Sequence, residues 1–93
     1  EQHMQLEKQS RKTDTSWVTR WRWRGNISLN NVVMGMMAQD SKGKLHRYVS
    51  HLKGILRPGQ RFDLEFRMQD GVTLKQLEGM KTRYYVDDAL PAK

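Results

Sequence analysis

The 93-residue sequence contains no cysteine, which excludes disulfide bonds, thiolate metal sites and cysteine nucleophiles together. No run approaches the ~18 apolar residues of a membrane-spanning helix. No apolar segment follows a basic start, as it would in a signal peptide. Internal repeats and low-complexity segments are also absent. The remaining composition is that of one small domain with a single modest core.

The motifs of common catalytic sites are missing as well. The sequence has no Gly-x-x-x-x-Gly-Lys, Gly-x-Gly-x-x-Gly or Gly-x-Ser-x-Gly pattern. His46 and His51 are five positions apart, which suits a metal pair neither on one helix face nor at alternate strand positions. Ser41 adjoins Asp40, and both are good turn formers. The sequence therefore predicts a non-enzymatic protein with no catalytic residue, metal ion or cofactor.

Acidic residues are scarce in the middle of the chain. The net charge of +7 lies wholly in residues 15–57, where Asp40 is the single acidic residue. Basic and acidic side chains balance in residues 1–14 and again in residues 58–93. Such an uneven distribution suits an anionic partner, although charge can also serve solubility alone.

Residues 17–30 alternate between large apolar and basic side chains. The apolar residues have odd numbers: Trp17, Trp21, Trp23, Ile27 and Leu29. The arginines have even numbers: Arg20, Arg22 and Arg24. Because successive side chains of a strand point to opposite faces, this pattern predicts a strand with a tryptophan face and an arginine face. The tryptophans are expected to form the core of so small a domain, and the arginines are expected to face outward.

Two readings compete at Gly25-Asn26. A two-residue hairpin turn there would mix polar and apolar side chains on both faces. One long strand bent at Gly25 keeps the apolar residues on one side and is the preferred interpretation.

Residues 32–49 have the pattern of a β-hairpin. Residues 40–43 fit a type I turn closed by a left-handed Gly43. With Asp40 opposite Lys44, Met36 is predicted to face Tyr48. A helix over about 44–56 is the alternative, because several apolar residues there also follow helical spacing.

The remainder of the chain predicts short strands around a turn at residues 57–59. Residues 61–68 alternate cleanly, and a following strand is expected to pair Val72 with Met68. The last strand is expected to include Tyr84 to Val86. The predicted fold is all-β, a five- to six-stranded barrel of OB-like or SH3-like type or a short sandwich. The helical reading of 44–56 would give an α+β fold.

The predicted domain organisation is a flexible polar segment or tether over 1–14, one β domain over 15–86 and a tail over 87–93. Arg20-x-x-x-Arg24 resembles the first half of the motif of the cyclic-dinucleotide-binding PilZ barrels. The second half, Asp/Asn-x-Ser-x-x-Gly, has no counterpart at the required spacing. The sequence therefore identifies no family.

The leading functional hypothesis is a binding domain whose basic half engages nucleic acid or another polyanion. Arginine and lysine bind phosphate, and alternate strand residues are spaced ~6.5–7 Å apart, close to successive phosphates. The predicted anion-binding residues are Arg20, Arg22, Arg24, Lys42, Lys44, Arg47, Lys53 and Arg57. Trp17 and Tyr85 are candidates for stacking on bases.

The alternative is a structural module of a larger assembly, such as a secretion, pilus, phage or envelope complex. Its sheet edges would contact protein partners, and Val33, Met37, Leu45 and Val49 share a second apolar face of the hairpin.

Overall fold

The computed structural model describes residues 3–92, which form two three-stranded antiparallel sheets. In chain order the elements are β1 (Met4–Thr13), β2 (Ser16–Trp23), β3 (Leu29–Gln39), β4 (Leu45–Leu56), β5 (Arg61–Arg67), α1 (Leu74–Glu78) and β6 (Lys81–Pro91). One sheet has the order β1-β2-β5 and the other has the order β4-β3-β6. The all-β prediction is confirmed, and the two layers are consistent with a small sandwich. The barrel is wrong, because the two sheets do not join.

The chain passes from one sheet to the other between Trp23 and Leu29. A Cβ atom at Gly25 would lie 2.1 Å from Cζ2 of Trp23, so the indole occupies the space above this glycine. The indole Nε1 of Trp23 also donates to the carbonyl oxygen of Ile27 at 2.7 Å. The turn around Trp23 ends β2, so the prediction of one continuous bent strand is wrong. Ile27, expected on the core face, is 50% exposed.

The β3–β4 hairpin forms in the predicted register. Met36 pairs with Tyr48, and the amide of Asp40 donates to the carbonyl of Lys44 at 3.0 Å. Gly43 closes the turn with φ of +82°. The helix over 44–56 is wrong, because Leu45 and Val49 point to solvent instead of to a buried helix face.

The polar N-terminal segment is a strand over Met4–Thr13, so the prediction of a flexible segment is wrong for these residues. Met4 pairs with Trp23 and Leu6 with Trp21, which lets two alternate apolar residues cover the tryptophans. At the other end β6 continues to Pro91, beyond the predicted strand and into the expected tail. Residues 1, 2 and 93 of these segments lie outside the described residues.

The expected strand around Val72 and Leu74 is also wrong, because a short helix begins there. Thr73 accepts a hydrogen bond from the Gln76 amide, and the Gln76 side chain accepts one from the Thr73 amide. This reciprocal capping box starts α1, whose Leu74 and Leu77 are buried. Within the described residues, no helix has the length and apolar character needed to cross a membrane.

The core lies between the inner faces of the two sheets. Trp21 and Trp23 are buried with 4% and 8% exposure, whereas Arg20 is exposed and Arg22, between the two tryptophans, is half-buried. The parity prediction for β2 therefore holds. The largest fully buried side chains come from both sheets and α1: Phe66, Met34, Met36, Leu56, Leu74 and Val32.

Candidate polyanion-binding surface

The predicted arginine face belongs to the outer side of the β1-β2-β5 sheet, here called the ion-paired face. Arg20 stands opposite Asp63 on β5 and donates to its two carboxylate oxygens at 2.9 and 3.3 Å. These hydrogen bonds lower the pKa of Asp63 and raise that of Arg20. Arg20 is therefore partly neutralised by its neighbour.

Two glutamates neutralise further cations of the ion-paired face. Glu7 on β1 accepts a hydrogen bond from Arg61 at 2.8 Å and lies 3.7 Å from Nε of Arg22. Glu65 accepts hydrogen bonds from Lys12, Arg67 and Ser16, which together lower its pKa to about 2. The acidic partners come from β1 and β5, so they are not visible within residues 15–57.

Arg24 and Trp17 lie outside any exposed row of cations. Arg24 follows the end of β2 and donates to the Gln5 side chain at 3.1 Å. Trp17 is on the inner side, packed against the buried cluster, and its Nε1 donates to the hydroxyl of Tyr84 at 2.9 Å. The structure thus places the predicted stacking residue Trp17 beside the core.

The remaining predicted cations follow the β3–β4 hairpin. Lys42 and Lys44 lie in its turn, Arg47 and Lys53 lie on the outer side of β4, and Arg57 is in the connection to β5. All five side chains belong to exposed residues. The structure therefore divides the predicted anion-binding set between two separate sheets.

Two further cations join the hairpin from β6. Lys81 is opposite Gln39, and Arg83 is opposite Met37, which also pairs with Arg47. Arg83, Met37 and Arg47 therefore form one row across the sheet. The outer side of β4-β3-β6 with its turn lysines is here called the basic face; its cations are Lys42, Lys44, Arg47, Lys53, Lys81 and Arg83.

Ion pairs are few on the basic face. Among the residues described, Arg47 is its single cation in an ion pair, with Asp87 at 2.7 Å. Lys81 and Arg83 are not among the predicted site residues. The sequence pattern that could have identified them is the alternation of Lys81, Arg83 and Tyr85. It repeats on β6 the spacing of basic residues two positions apart that is seen on β2.

Tyr85 lies across the middle of the basic face. Its phenol end is above Gly35 of β3, where a Cβ atom would come within 2.2 Å of the ring Cζ. On the far side its hydroxyl accepts a hydrogen bond from Nε of Arg47, and the Arg47 guanidinium lies 5.5 Å from the ring centroid. A glycine on the central strand thus lets an aromatic ring span three strands beside a row of cations.

Apolar side chains lie between the cations of the basic face. Leu45 and Val49 are 57% and 55% exposed, and Met37 is half-buried. Met37, Leu45, Lys81 and Arg83 line an open depression of about 350 Å³. The second apolar face predicted for the hairpin is therefore uncovered in residues 3–92.

A separate polar cluster lies at the hairpin end. His46 is between two carboxylates, with Nε2 at 3.1 Å from Asp40 and Nδ1 at 3.1 Å from Asp70. The pKa of His46 is raised by the hydrogen bond with Asp40 and then by that with Asp70. Burial opposes ionisation of Asp70, but hydrogen bonds from His46 and Tyr48 hold its pKa below the ordinary value.

Both ring nitrogens of His46 are occupied, which leaves neither free to act as a general base. Residues 3–92 contain no group of three or more histidine, cysteine or acidic side chains arranged to hold a metal ion.

Comparison of the chain with protein-family models, with curated proteins and with solved structures finds no match in any of the three.

Proposed function

We propose that this protein is a non-catalytic binding domain and that its basic face binds a polyanion. Single-stranded nucleic acid is the leading candidate. One observation carries the proposal: Tyr85 is held across Gly35 by Arg47, with Lys81 and Arg83 on the same strand. Proteins that bind single-stranded nucleic acids combine aromatic rings with cations: the bases stack on the rings and the phosphates contact the cations.

The spacing of the cations supports this choice. Lys81 and Arg83 are alternate residues of a strand, so their Cα atoms are ~6.5–7 Å apart along β6. Arg47 is two strands away in the row of Arg83, at about 10 Å across the sheet. A flexible anionic chain could contact several of these cations at once. The ion-paired face offers more arginines, but Asp63, Glu7 and Glu65 compete with phosphate for them.

The test is a titration of a fluorescently labelled oligothymidylate at about 50 and about 200 mM salt. We expect affinity to fall steeply with salt, and Arg83→Gln to lower the magnitude of the log–log salt slope by about 0.7, the value for one single-strand phosphate contact. Tyr85→Leu should weaken binding at both salt concentrations by the ~1–3 kcal/mol of one stacked base.

A flat salt response in the titration of the wild-type protein would overturn the proposal. Loss of affinity in Tyr85→Leu without loss in Arg83→Gln would point instead to an apolar ligand.

A second candidate function is contact with protein partners in a larger assembly. The observation that favours it is the exposure of apolar residues on the basic face: Leu45, Val49, Ile55 and Leu90. Scattered apolar residues are common on protein surfaces, but four on one sheet face are compatible with a protein interface.

A further inference from the structure

An open groove runs between the edges of the two sheets. It has a volume of about 550 Å³ and is lined by five consecutive residues of β4, Arg47 to His51, and by Glu65, Arg67, Gln69 and Asp70. β4 and β5 are the outermost strands of their sheets on this side. A lining of consecutive residues means that the backbone edge of β4 itself borders the groove.

The hairpin register identifies the β4 backbone groups that point into the groove. Hydrogen-bonded and non-hydrogen-bonded pairs alternate along an antiparallel ladder. The amide of Asp40 donates to the Lys44 carbonyl, so the even-numbered residues of β4 direct their backbone groups to β3. Arg47, Val49 and His51 are odd-numbered, and their amide and carbonyl groups therefore point toward the groove.

The same alternation applies to β5 on the opposite side. The Met68 amide donates to Thr15, and the carbonyl of Gln60 accepts from Trp23, so even-numbered residues bond toward β2. The backbone groups of Glu65 and Arg67 consequently point toward the groove. Both edges therefore direct backbone groups toward the groove, where a further strand could bond to them.

The charge of β4 indicates what kind of strand would fit. Residues 41–60 contain five cations and no acidic residue, and Arg47, His51 and Lys53 share the outer side of β4. A second copy of β4 in this groove would place cations opposite cations, which is unfavourable. On the inner side Tyr48 and Leu52 are buried or half-buried, so apolar side chains fit there.

We propose that the groove binds an extended polypeptide segment of a protein partner, which adds a strand to the free edge of β4. The segment alternates acidic residues, placed beside Arg47, His51 and Lys53, with apolar residues placed beside Tyr48 and Leu52. Backbone hydrogen bonds supply affinity in this mode of recognition, and the alternate side chains supply specificity. The proposal does not rest on oligonucleotide binding, because its affinity comes from the backbone edge of β4 and not from Lys81, Arg83 or Tyr85; Arg47 and Lys53 belong to both surfaces.

The probe is a labelled peptide of about eight residues, a usual strand length, in which glutamate alternates with valine. We expect it to bind, and to slow amide hydrogen exchange at Arg47, Val49 and His51 more than at Tyr48 and Ser50, whose amides already bond to β3. The matched control peptide replaces each glutamate by lysine and should bind at least tenfold more weakly.

Val49→Pro removes one amide from the edge while leaving the β3 ladder intact, and proline is tolerated at such positions. Its expected effect is a loss of affinity of up to about tenfold, as for one backbone hydrogen bond. If this variant does not fold, the exchange pattern of the wild-type protein decides.

Equal binding of both peptides, no binding of either, or protection confined to β6 would overturn the proposal. Protection of the β4 edge by oligothymidylate and not by the acidic peptide would also overturn it, in favour of nucleic acid at this groove.

Discussion

At the scale of single residues, Gly35 and Tyr85 form a contact that accounts for both the glycine in the interior of β3 and the position of the Tyr85 ring. The glycine is buried on the central strand, although glycine weakens strand interiors by leaving nothing to pack. Here the phenol end of Tyr85 occupies the space that a side chain at position 35 would take. The contact between Gly35 and Tyr85 therefore bears on both the stability of this part of the sheet and the position of the proposed stacking ring.

Gly35→Ala tests this dependence. The new methyl group must displace the ring, so we expect a loss of about 1–3 kcal/mol in the free energy of unfolding, as for other overpacked sites. In a Tyr85→Ala background the same substitution should cost much less, because the space is then empty. Urea denaturation of the two single variants and the double variant measures the coupling. Additive losses would mean that the ring and the glycine do not interact.

At the scale of elements, the His46 cluster connects two loops that are distant in sequence. Asp40 belongs to the β3–β4 turn, whereas Asp70 lies between β5 and α1. A protonated His46 donates to both carboxylates. Tyr48 also donates to Asp70, and its pKa is raised by burial and by that carboxylate. The cluster therefore fastens the end of the hairpin to the other sheet.

The protonation of His46 gives this connection a pH dependence. The pKa of His46 is raised in the folded protein above its ordinary value of 6.5. The stabilisation that protonated His46 gives to the fold is therefore complete below its pKa in the unfolded chain, and it is lost as pH rises through its pKa in the folded protein. The pKa values of Asp40 and Asp70 are lowered, so their contributions are lost as pH falls below about 4. Stability from the cluster is therefore greatest between about pH 4 and pH 6.5.

His46→Gln should remove the decline in unfolding free energy between about pH 6 and about pH 8. The measurement is urea denaturation at several pH values across this interval, with the exposed His51→Gln as the control variant. An unchanged decline in His46→Gln, or its loss in His51→Gln, would contradict the assignment.

The β3–β4 hairpin was predictable because local turn chemistry determines its register. Asp40 accepts hydrogen bonds from the amides of Lys42 and Lys44 at 2.9 Å each, and Gly43 supplies the positive φ angle. All of this information lies within residues 40–44. β1 was not predictable in the same way, because its exposed polar residues describe an edge strand and a flexible segment equally well.

The break at Gly25 was located correctly but interpreted wrongly. Side-chain parity alone does not distinguish a bend from a crossing between sheets. The deciding contact is the Trp23 indole over Gly25, which is a feature of three-dimensional packing. Conversely, the capping box of Thr73 and Gln76 is a local sequence signal for α1 that the strand interpretation of Val72 and Leu74 passed over.

At the scale of the whole molecule, pairing between strands redistributes the charge that the sequence concentrates in residues 15–57. The β2 cations Arg20 and Arg22 meet Asp63 of β5 and Glu7 of β1. The cations of β4 instead share a face with Lys81 and Arg83 of β6. The distribution of charge along the chain is thus a poor guide to where a polyanion would bind. Residues 1–14 and 58–93 each have no net charge, yet strand pairing brings acidic side chains from these segments to one sheet and two of their cations to the other.

A pair of matched double variants separates the effect of location from that of net charge. Lys81→Glu with Arg83→Glu reverses two cations of the basic face, and Arg20→Glu with Arg22→Glu reverses two of the ion-paired face. Each substitution replaces a positive charge by a negative one and changes the net charge by two, so both doubles lower it from +7 to +3. General electrostatic attraction would therefore be weakened to the same extent in each.

If the basic face is the binding surface, the first double should lose oligothymidylate affinity by at least tenfold more than the second at about 50 mM salt. Urea denaturation of both doubles checks that neither has lost much stability. We expect small losses, because exposed ion pairs such as Arg20–Asp63 contribute about 0–1 kcal/mol. Equal losses in the two doubles would show that binding follows net charge alone. A larger loss in the second would show that the binding site is the arginine face of β2. Phosphate would then displace Asp63 and Glu7 from these arginines.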